Sequence, residues 1–347
     1  MSITKRQQQI LIAFLTGIDS LPGLLGLPAF IEVTERTLQR DISDMVERRL
    51  VQKYGEARAV TYTVENKARF NLALSKEKLE EYFANEDRAG ISYDFSRLGA
   101  LGSTELFSGL ERKELEEYNK VFYDKLQTAS RDIVRRERER ITIELSWKSS
   151  LIEGNTYTLL ETESLIKDGI PATGKSKDET TMVLNHKKAL DFSEENRDLF
   201  GGELTIQAVI ELHKILADGI IDSGLRERLI GITGSAYRPL DNKFQVEEEL
   251  KRLCEVINEK QSVFEKALLA FTYICYIQPF NDGNKRTARI LANAILYSND
   301  SFPLSLRTVD VNTYRLAILA FYELGILGNA KKVFIEQAKF AAENYAI

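Results

Sequence analysis

Residues 278–289 read Gln278-Pro279-Phe280-Asn281-Asp282-Gly283-Asn284-Lys285-Arg286-Thr287-Ala288-Arg289, and they join two segments, 264–277 and 287–296, that are apolar on nearly all sides. Helices of that kind are usually buried. Pro279 ends the first helix, and Asp282-Gly283-Asn284 is typical of a turn because glycine accepts positive φ. The pattern predicts two interior helices joined by a polar loop, the second beginning at about Asn284.

This loop has the features of a phosphate site. The first turn of the second helix presents unpaired N–H groups at the positive end of the helix dipole, which favours an anion. Arg286 and Arg289 are three residues apart and share a helix face. Together with the Asp282 carboxylate for Mg²⁺, the loop suits a polyphosphate. The alternative is an ordinary helix N-terminus, capped by Asp282 and flanked by solvated arginines.

The loop resembles the signature of the Fic (Fido) family, H-x-F-x-(D/E)-G-N-x-R-x-x-R. Six positions match: Phe280, Asp282, Gly283, Asn284, Arg286 and Arg289. The resemblance covers about residues 143–325. It implies an all-α core with a small β-hairpin flap at about residues 232–240. The family's usual reaction moves AMP from ATP to a Ser, Thr or Tyr hydroxyl of a protein target.

The same resemblance assigns roles to these positions. Asp282 is expected to hold Mg²⁺ between the α- and β-phosphates, and Gly283 and Asn284 to line the anion hole. Arg286 is expected to contact the β-phosphate and Arg289 the γ-phosphate. We also place Phe280 and Lys285 in this ATP site.

The chain departs from the signature at Gln278, which stands where the family has its catalytic histidine. That histidine is the general base that takes the proton of the target hydroxyl. A carboxamide has no titratable group near neutral pH, and losing a general base typically costs ~10²–10⁴ in rate. Nucleotide binding needs no base. The two histidines, His186 and His213, are expected to be surface or structural residues and not replacements.

Lys285 is a second departure, because members that transfer AMP usually have glycine there. A side chain at this position crowds the phosphate turn and adds positive charge. The run 284–288 also resembles the Doc toxin branch of the family, which transfers phosphate. Doc-like members usually keep the histidine, so this branch does not explain Gln278.

Ser149, Glu153 and Gly154 resemble the family's inhibitory motif, (S/T)-x-x-x-E-(G/N). Ser149 and Glu153 lie one helical turn apart, and Gly154 suits a helix C-terminus. In the family the glutamate pairs with the second arginine of the signature, here Arg289, and blocks the γ-phosphate. The alternative is an ordinary helix end.

The N-terminal region carries a different pattern. Residues 34–50 predict an amphipathic helix with Thr34 as N-cap and one apolar stripe. The opposite face presents Arg36, Gln39 and Arg40, side chains suited to phosphates and base edges. Two β-prone runs around Gly55, the second at about residues 58–64, follow as in a hairpin wing.

Residues 4–64 resemble the winged helix-turn-helix of DeoR-type regulators, which implies DNA binding through Arg36, Gln39 and Arg40. Net charge over residues 33–58 is only +1. Binding would therefore depend on the placement of the arginines and not on bulk charge. The alternative is a protein–protein docking module.

Composition is that of an ordinary globular chain. Its 347 residues carry 47 basic and 52 acidic side chains, a net charge of −5 that argues against non-specific coating of nucleic acid. No apolar run is long enough for a membrane span, and Cys254 and Cys275 are expected to be buried in a reducing cytoplasm. The expected fold is mainly α: a winged helix (1–64), a helical connector (65–120) and a Fic domain with an N-terminal inhibitory helix (121–347).

Three functions remain open from the sequence. The first is an autoinhibited protein that binds ATP and Mg²⁺ and transfers AMP to an unknown protein target, weakened by Gln278. The second is a catalytically inactive, nucleotide-sensing DNA-binding regulator. The third is phosphate transfer in the Doc manner. The architecture also allows a homodimer, on which the sequence is silent.

Overall fold

The computed structural model describes residues 3–56 and 59–345, so the start of the strand predicted at about 58–64 lies partly outside the described residues. The mainly helical fold is confirmed, with 65% of residues in helices and 4% in strands. Within the described part of the chain, no helix has both the length and the hydropathy that a bilayer span requires.

The N-terminal region is three helices, a 3₁₀ turn and a two-stranded antiparallel sheet. These are α1 (Lys5–Leu15), α2 (Leu21–Leu25), a 3₁₀ turn (Pro28–Phe30), α3 (Glu35–Glu47), β1 (Val51–Tyr54) and β2 (Thr61–Val64), with Val51 opposite Val64. Thr34 caps α3 as predicted, accepting from the Thr37 N–H at 3.3 Å. Leu38, Ile42 and Met45 of α3 are buried against the other N-terminal helices.

The connector is helical with one short strand. It contains α4 (Asn66–Asn71), α5 (Lys76–Ala84), β3 (Ile91–Ser92), α6 (Ser96–Ser103) and α7 (Gly109–Thr128). Arg88, on the way to β3, donates to the buried carboxylate of Glu323 at 3.0 Å, and the same carboxylate accepts from Tyr82 at 3.2 Å. These contacts fix the connector against the C-terminal helices.

The remaining chain is a helical assembly around one central pair. Its elements are α8 (Arg131–Ile152), α9 (Leu159–Asp168), α10 (Lys177–Glu195), α11 (Asp198–Gly201), α12 (Ile206–Ala217), β4 (Tyr237–Arg238), α13 (Lys243–Glu259), α14 (Val263–Ile277), α15 (Asn284–Ser298), α16 (Val311–Leu324) and α17 (Gly328–Asn344). The central pair, α14 and α15, is buried along most of its length, as the apolar segments predicted. Cys254 and Cys275 are free and buried, also as predicted.

The predicted β-hairpin over residues 232–240 is wrong. All of these residues are described, and they contain a turn at Thr233–Gly234 followed by β4 alone. β4 pairs in parallel with β3 of the connector, Ile91 opposite Tyr237. The Ala236 N–H is bonded at 2.8 Å to the Glu323 side chain, and Pro239 has no N–H to donate, so neither group serves a hairpin ladder.

The N-terminal region and the helical assembly share α16. Leu316, Ala320 and Leu324 belong to the apolar cluster that contains α1 and α3. Other residues of α16, among them Tyr314 and Phe321, belong to the larger cluster around α14 and α15. The predicted domain boundaries at residues 64 and 120 stay a prediction, but the packing shows that one helix contacts both regions.

Candidate functional site

The loop between α14 and α15 is shaped by two residues in the left-handed region. Gln278 ends α14 at φ 52°, and Gly283 precedes α15 at φ 80°. Helix α15 begins at Asn284, as predicted, and the Thr287 N–H closes its first turn on the Gly283 carbonyl at 2.8 Å. A residue other than glycine rarely adopts the backbone conformation of Gln278 unless contacts of its side chain compensate for the strain.

Those contacts come from the Gln278 side chain, which is only 7% exposed. Its Nε2 donates to the Cys275 carbonyl at 2.6 Å and to the Tyr322 hydroxyl at 3.1 Å. Its Oε1 accepts from Nδ2 of Asn284 at 2.9 Å. Both ends of the amide are therefore engaged, and neither is a titratable proton acceptor.

Asn284 and Arg226 hold the backbone of the loop. The Asn284 side chain accepts from the Phe280 N–H and donates to the Phe280 carbonyl, each at 2.9 Å. Arg226 is 1% exposed and donates through Nε to the Gln278 carbonyl at 2.5 Å. Its backbone N–H donates to the Pro279 carbonyl at 3.0 Å. The loop is thus preorganised by its own side chains and by a buried arginine for which the sequence predicted no role.

Asp282 and Arg286 form an ion pair of 3.0 Å at the start of α15. The Asp282 side chain is 65% exposed, whereas Arg286 is 2% exposed. Burial, as the largest cause, lowers the pKa of Arg286. Among the described residues, Nη1 of Arg286 is buried without a hydrogen-bond partner. A buried guanidinium with a free donor suits an anionic ligand, since such a group left unsatisfied is costly.

The second arginine, Arg289, is fully buried and held from three sides. Its Nε donates to Oγ of Ser149 at 2.9 Å and its Nη2 to the Ser149 carbonyl at 3.0 Å. Its Nη1 donates to the Tyr314 hydroxyl at 3.2 Å and lies 2.9 Å from Oε1 of Glu153. The structure therefore brings Ser149 and Glu153, which lie one helical turn apart on α8, together with Arg289, which is 140 residues from Ser149 in the sequence.

Glu153 lies between two cations at the C-terminus of α8. Its carboxylate is 2.9 Å from Arg289 and 3.1 Å from Nζ of Lys285. Burial alone would raise the pKa of Glu153, but the charges of Arg289 and Lys285 outweigh it and hold that pKa at about 2. Gly154 follows at φ 92°, a conformation that lets the chain leave the helix at once. The carboxylate is therefore ionised at neutral pH.

A cavity of about 400 Å³ lies over this loop. Its walls include Gln278, Asp282, Asn284, Lys285 and Glu153, and the opposite side is formed by residues 230–233 and by α16. Neither Arg286 nor Arg289 lines the cavity, but Glu153, which does line it, pairs with Arg289 at 2.9 Å. The size is in the range of small-molecule sites, which is about 300–1,000 Å³.

Both histidines lie in the interior, so the surface alternative is wrong for each. His213 stacks on Phe280 with ring centroids 3.6 Å apart, and its Nε2 is 3.0 Å from the Asp282 carbonyl. His186 lies 2.7 Å from Oγ of Ser149. Burial, as the main cause, lowers the pKa of His213 to about 4 and that of His186 to about 3. Neither has the near-neutral pKa of a general base.

Residues 203–296 match the family model described as the Fic/DOC family. Over this segment the chain is similar to that family. The match runs from just before α12 to near the end of α15 and includes the whole loop described above. The matched segment contains Gln278 at the position where the signature resemblance expects histidine.

Relatives with similar sequences carry the name protein adenylyltransferase. One is fic-1 of Caenorhabditis elegans, 25% identical over 251 residues, which are 70% of this chain and 49% of that protein. Another is Fic of Nematostella vectensis, 30% identical over 177 residues, 48% of this chain and 40% of that protein. The chain spans about half or less of the length of these curated relatives.

The fold of this chain is similar to that of solved structures. The structure of C. elegans Fic-1, residues 134–508, aligns with a TM-score of 0.56 at 22% identity, covering 78% of this chain and 83% of that one. A Fic family protein from Desulfovibrio desulfuricans aligns with a TM-score of 0.54 at 18% identity, covering 68% and 74%. At these identities the likeness shows the fold alone.

The predicted DNA-contacting residues lie on α3, far along the chain from the segment that matches the family model. Arg36, Gln39 and Arg40 are exposed on the side opposite the buried stripe. Two acidic residues of the same helix have partners: Asp41 pairs with Arg6, and Asp44 accepts from Gln7 at 2.7 Å. Among the ion pairs of the described residues, none involves Arg36 or Arg40.

Proposed function

We propose that this protein binds ATP with Mg²⁺ in the cavity over the α14–α15 loop and transfers AMP to a Ser, Thr or Tyr hydroxyl of a protein target. In that reaction the hydroxyl oxygen forms a bond to the α-phosphorus, the bond to the β-phosphate oxygen breaks, and pyrophosphate leaves. The hydroxyl proton must go to a base or to solvent. The names of the relatives and the signature loop support this reaction class.

The residues present fit a triphosphate. The N-terminus of α15 and the free Nη1 of Arg286 supply donors for phosphate oxygens. Asp282 is an exposed carboxylate at the cavity wall. The described residues contain no cluster of three or more metal-ligating side chains. That suits Mg²⁺, which usually takes one or two carboxylates and completes its shell with substrate phosphates and water. Bound there, the ion would neutralise phosphate charge.

The single observation that carries the proposal is the ion pair between Glu153 and Arg289. The Glu153 carboxylate lies 2.9 Å from Nη1 of Arg289 as an ion pair and supplies the negative charge that a γ-phosphate would otherwise bring there. We infer that ATP and Glu153 compete for Arg289, so that the protein is autoinhibited. Lys285 strengthens this competition because it pairs with the same carboxylate.

Gln278 limits the rate of the chemical step. Its amide is held by Cys275, Tyr322 and Asn284, and it has no site for the proton of the target hydroxyl. We therefore expect transfer to be slower by ~10²–10⁴ than with a histidine at this position.

The test is incubation with α-labelled ATP and Mg²⁺ in a lysate and with the protein alone. Four proteins are compared: the natural chain, Glu153→Gly, Gln278→His, and the Glu153→Gly, Gln278→His double variant. The proposal expects label transfer from Glu153→Gly and more from the double variant. If the double variant transfers label and Glu153→Gly transfers none, the proposal is rejected for this chain. Mass spectrometry of the modified residue separates added AMP from added phosphate, the Doc-like outcome.

A second candidate is a nucleotide sensor without chemistry that acts on DNA. The observation in its favour is that Gln278 removes the base while leaving every phosphate-binding position in place. Helix α16 lines the cavity and also packs against the apolar cluster of α3, which offers a physical connection. Its test is DNA binding with and without ATP. An unchanged DNA affinity when ATP occupies the Glu153→Gly variant would end this candidate.

A further inference from the structure

Arg289 has a second support, which runs through Ser149 to a histidine that lies outside both the signature loop and the inhibitory motif. Ser149 on α8 accepts from Nε of Arg289, and the same hydroxyl lies 2.7 Å from Nε2 of His186 on α10. Nδ1 of His186 lies 2.8 Å from the Met182 carbonyl. Ser149, His186 and Arg289 are all fully buried.

The direction of each hydrogen bond follows from these partners. A carbonyl can only accept, so Nδ1 of His186 carries the hydrogen that it donates to Met182. Nε2 then has a free lone pair and accepts from the Ser149 hydroxyl. The guanidinium can only donate, so Oγ of Ser149 uses its own lone pair for Arg289. One ordered chain of hydrogen bonds results, from Arg289 through Ser149 to His186.

This chain of hydrogen bonds fixes the Ser149 hydroxyl as an acceptor toward Arg289. A serine hydroxyl without the histidine would rotate among several acceptors. With it, the lone pair is directed at Nε, and the Ser149 carbonyl holds Nη2 at 3.0 Å. Arg289 is then held by two of its nitrogens independently of Glu153, while Nη1 faces Glu153 and Tyr314.

We propose that His186 is a positioning residue for the phosphate site: through Ser149 it holds the Arg289 guanidinium in place when Glu153 leaves, so that Nη1 is ready for the terminal phosphate of ATP. The inference rests on the proposed function, since it assumes that Arg289 meets the γ-phosphate. Preorganisation of this kind increases affinity by removing the ordering cost from the binding step.

A positioning role for His186 predicts an effect on nucleotide binding that a merely structural role does not. Loss of positioning should weaken the binding of ATP, which has a γ-phosphate, and leave that of ADP, which has none. If His186 only filled space in the interior, its loss would weaken the binding of ATP and ADP alike. The ratio of ATP to ADP affinity is therefore the readout.

The experiment is calorimetry with ATP and with ADP, each with Mg²⁺, in the Glu153→Gly background of the full chain. His186→Phe keeps a ring but removes both nitrogens. Ser149→Ala, which removes the hydroxyl between His186 and Arg289, is the second variant and serves if the first does not fold. His186→Gln restores an acceptor at the distance of Nε2. Ser193→Ala is the matched control, because it removes another buried hydroxyl on α10, one bonded to the Ala189 carbonyl.

We expect His186→Phe and Ser149→Ala to lower ATP affinity by about tenfold, the usual size of one missing hydrogen bond to a charged group, with ADP within about twofold. His186→Gln should recover most of the affinity, and Ser193→Ala should show no decrease. Folded variants with an unchanged ATP to ADP ratio would overturn the inference. No nucleotide binding by the Glu153→Gly parent would end the proposed function, and this inference with it.

Discussion

Gln278 and Asn284 are joined by a hydrogen bond of 2.9 Å between side chains that stand at the two ends of the α14–α15 loop. The bond ties the position of the missing base to the position expected to line the anion hole. Because the same glutamine also donates to Tyr322 on α16, the loop is held in shape without a histidine. The loop therefore has a fixed shape although the side chain at its start has no titratable proton acceptor.

Restoring the base should restore the rate. In the Glu153→Gly background, Gln278→His is expected to raise AMP transfer by ~10²–10⁴, since it returns a general base to the loop. The rate should rise with pH through the pKa of the new histidine, because only the neutral ring accepts a proton. Burial of position 278 places that pKa below the ordinary histidine value of about 6.5. Without the substitution, no such rise is expected. Transfer is measured with labelled ATP from about pH 4.5 to about pH 8.5, a range that extends below the ordinary value.

Two results would contradict that account of Gln278. Equal rates for the two proteins would show that the glutamine does not limit the chemistry. If the transfer rate rose with pH at the same midpoint with and without Gln278→His, another group would be acting as the base. The control is His213→Phe in the Gln278 protein, which removes the other imidazole next to the loop, 3.0 Å from the Asp282 carbonyl.

Lys285 should have opposite effects in two backgrounds. In the natural chain, Lys285→Met removes one of the two cations that hold Glu153, so ATP affinity is expected to rise by about two- to fivefold. In the Glu153→Gly background the same change removes a positive charge beside the phosphates, so ATP affinity should fall. Lys251→Met, which breaks an exposed pair with Glu247, is the control. Changes of equal sign in both backgrounds would show that Lys285 does not act through Glu153.

Inhibition by Glu153 should be insensitive to pH near neutrality. Burial would raise the pKa of Glu153, yet Arg289 and Lys285 hold it at about 2, below its ordinary value. A lowered carboxyl pKa means that the stabilisation is complete above the unfolded value of about 4.3 and is lost as pH falls toward about 2. The ratio of ATP affinities of Glu153→Gly and the natural chain should thus be constant from about pH 6 to about pH 8. A ratio that collapses within this range would contradict the ion pair as the cause.

DNA binding, if it occurs through α3, should depend on Arg36 and Arg40. We expect the Arg36→Ala, Arg40→Ala double variant to weaken binding to a random duplex of about 30 base pairs and to reduce the slope of the salt dependence by about one unit for each phosphate that an arginine no longer neutralises. Fluorescence anisotropy at several salt concentrations measures both. Lys214→Ala removes an exposed charge on α12 and should change neither. Absence of binding by the natural chain at low salt would favour the docking-module alternative.

The sequence predicted the parts of this protein that follow local rules. The apolar segments around residues 278–289 predicted α14 and α15, and Thr34 predicted the start of α3. Each of these helices is indicated by features of its own segment, namely the spacing of its apolar residues or a capping side chain at its start. The contact of Glu153 with Arg289 was expected only from a family resemblance.

What the sequence could not supply is contact between distant segments. Nothing near His186 indicates that it meets Ser149, because the two lie on helices that are brought together by burial alone. The partner of β4 is likewise remote, in the connector, and the expected hairpin failed for that reason. Lys285 could be predicted to crowd the turn, whereas its pairing with Glu153 depends on where α8 ends.

The central claim is that Glu153 occupies a site made for ATP, and calorimetric titration of the full chain with ATP and Mg²⁺ tests it most directly. The natural chain should bind weakly or not measurably, and Glu153→Gly should bind at least about tenfold more tightly, because the charge of Arg289 is no longer neutralised by a carboxylate. Equal affinities, or no binding by either protein, would contradict the account.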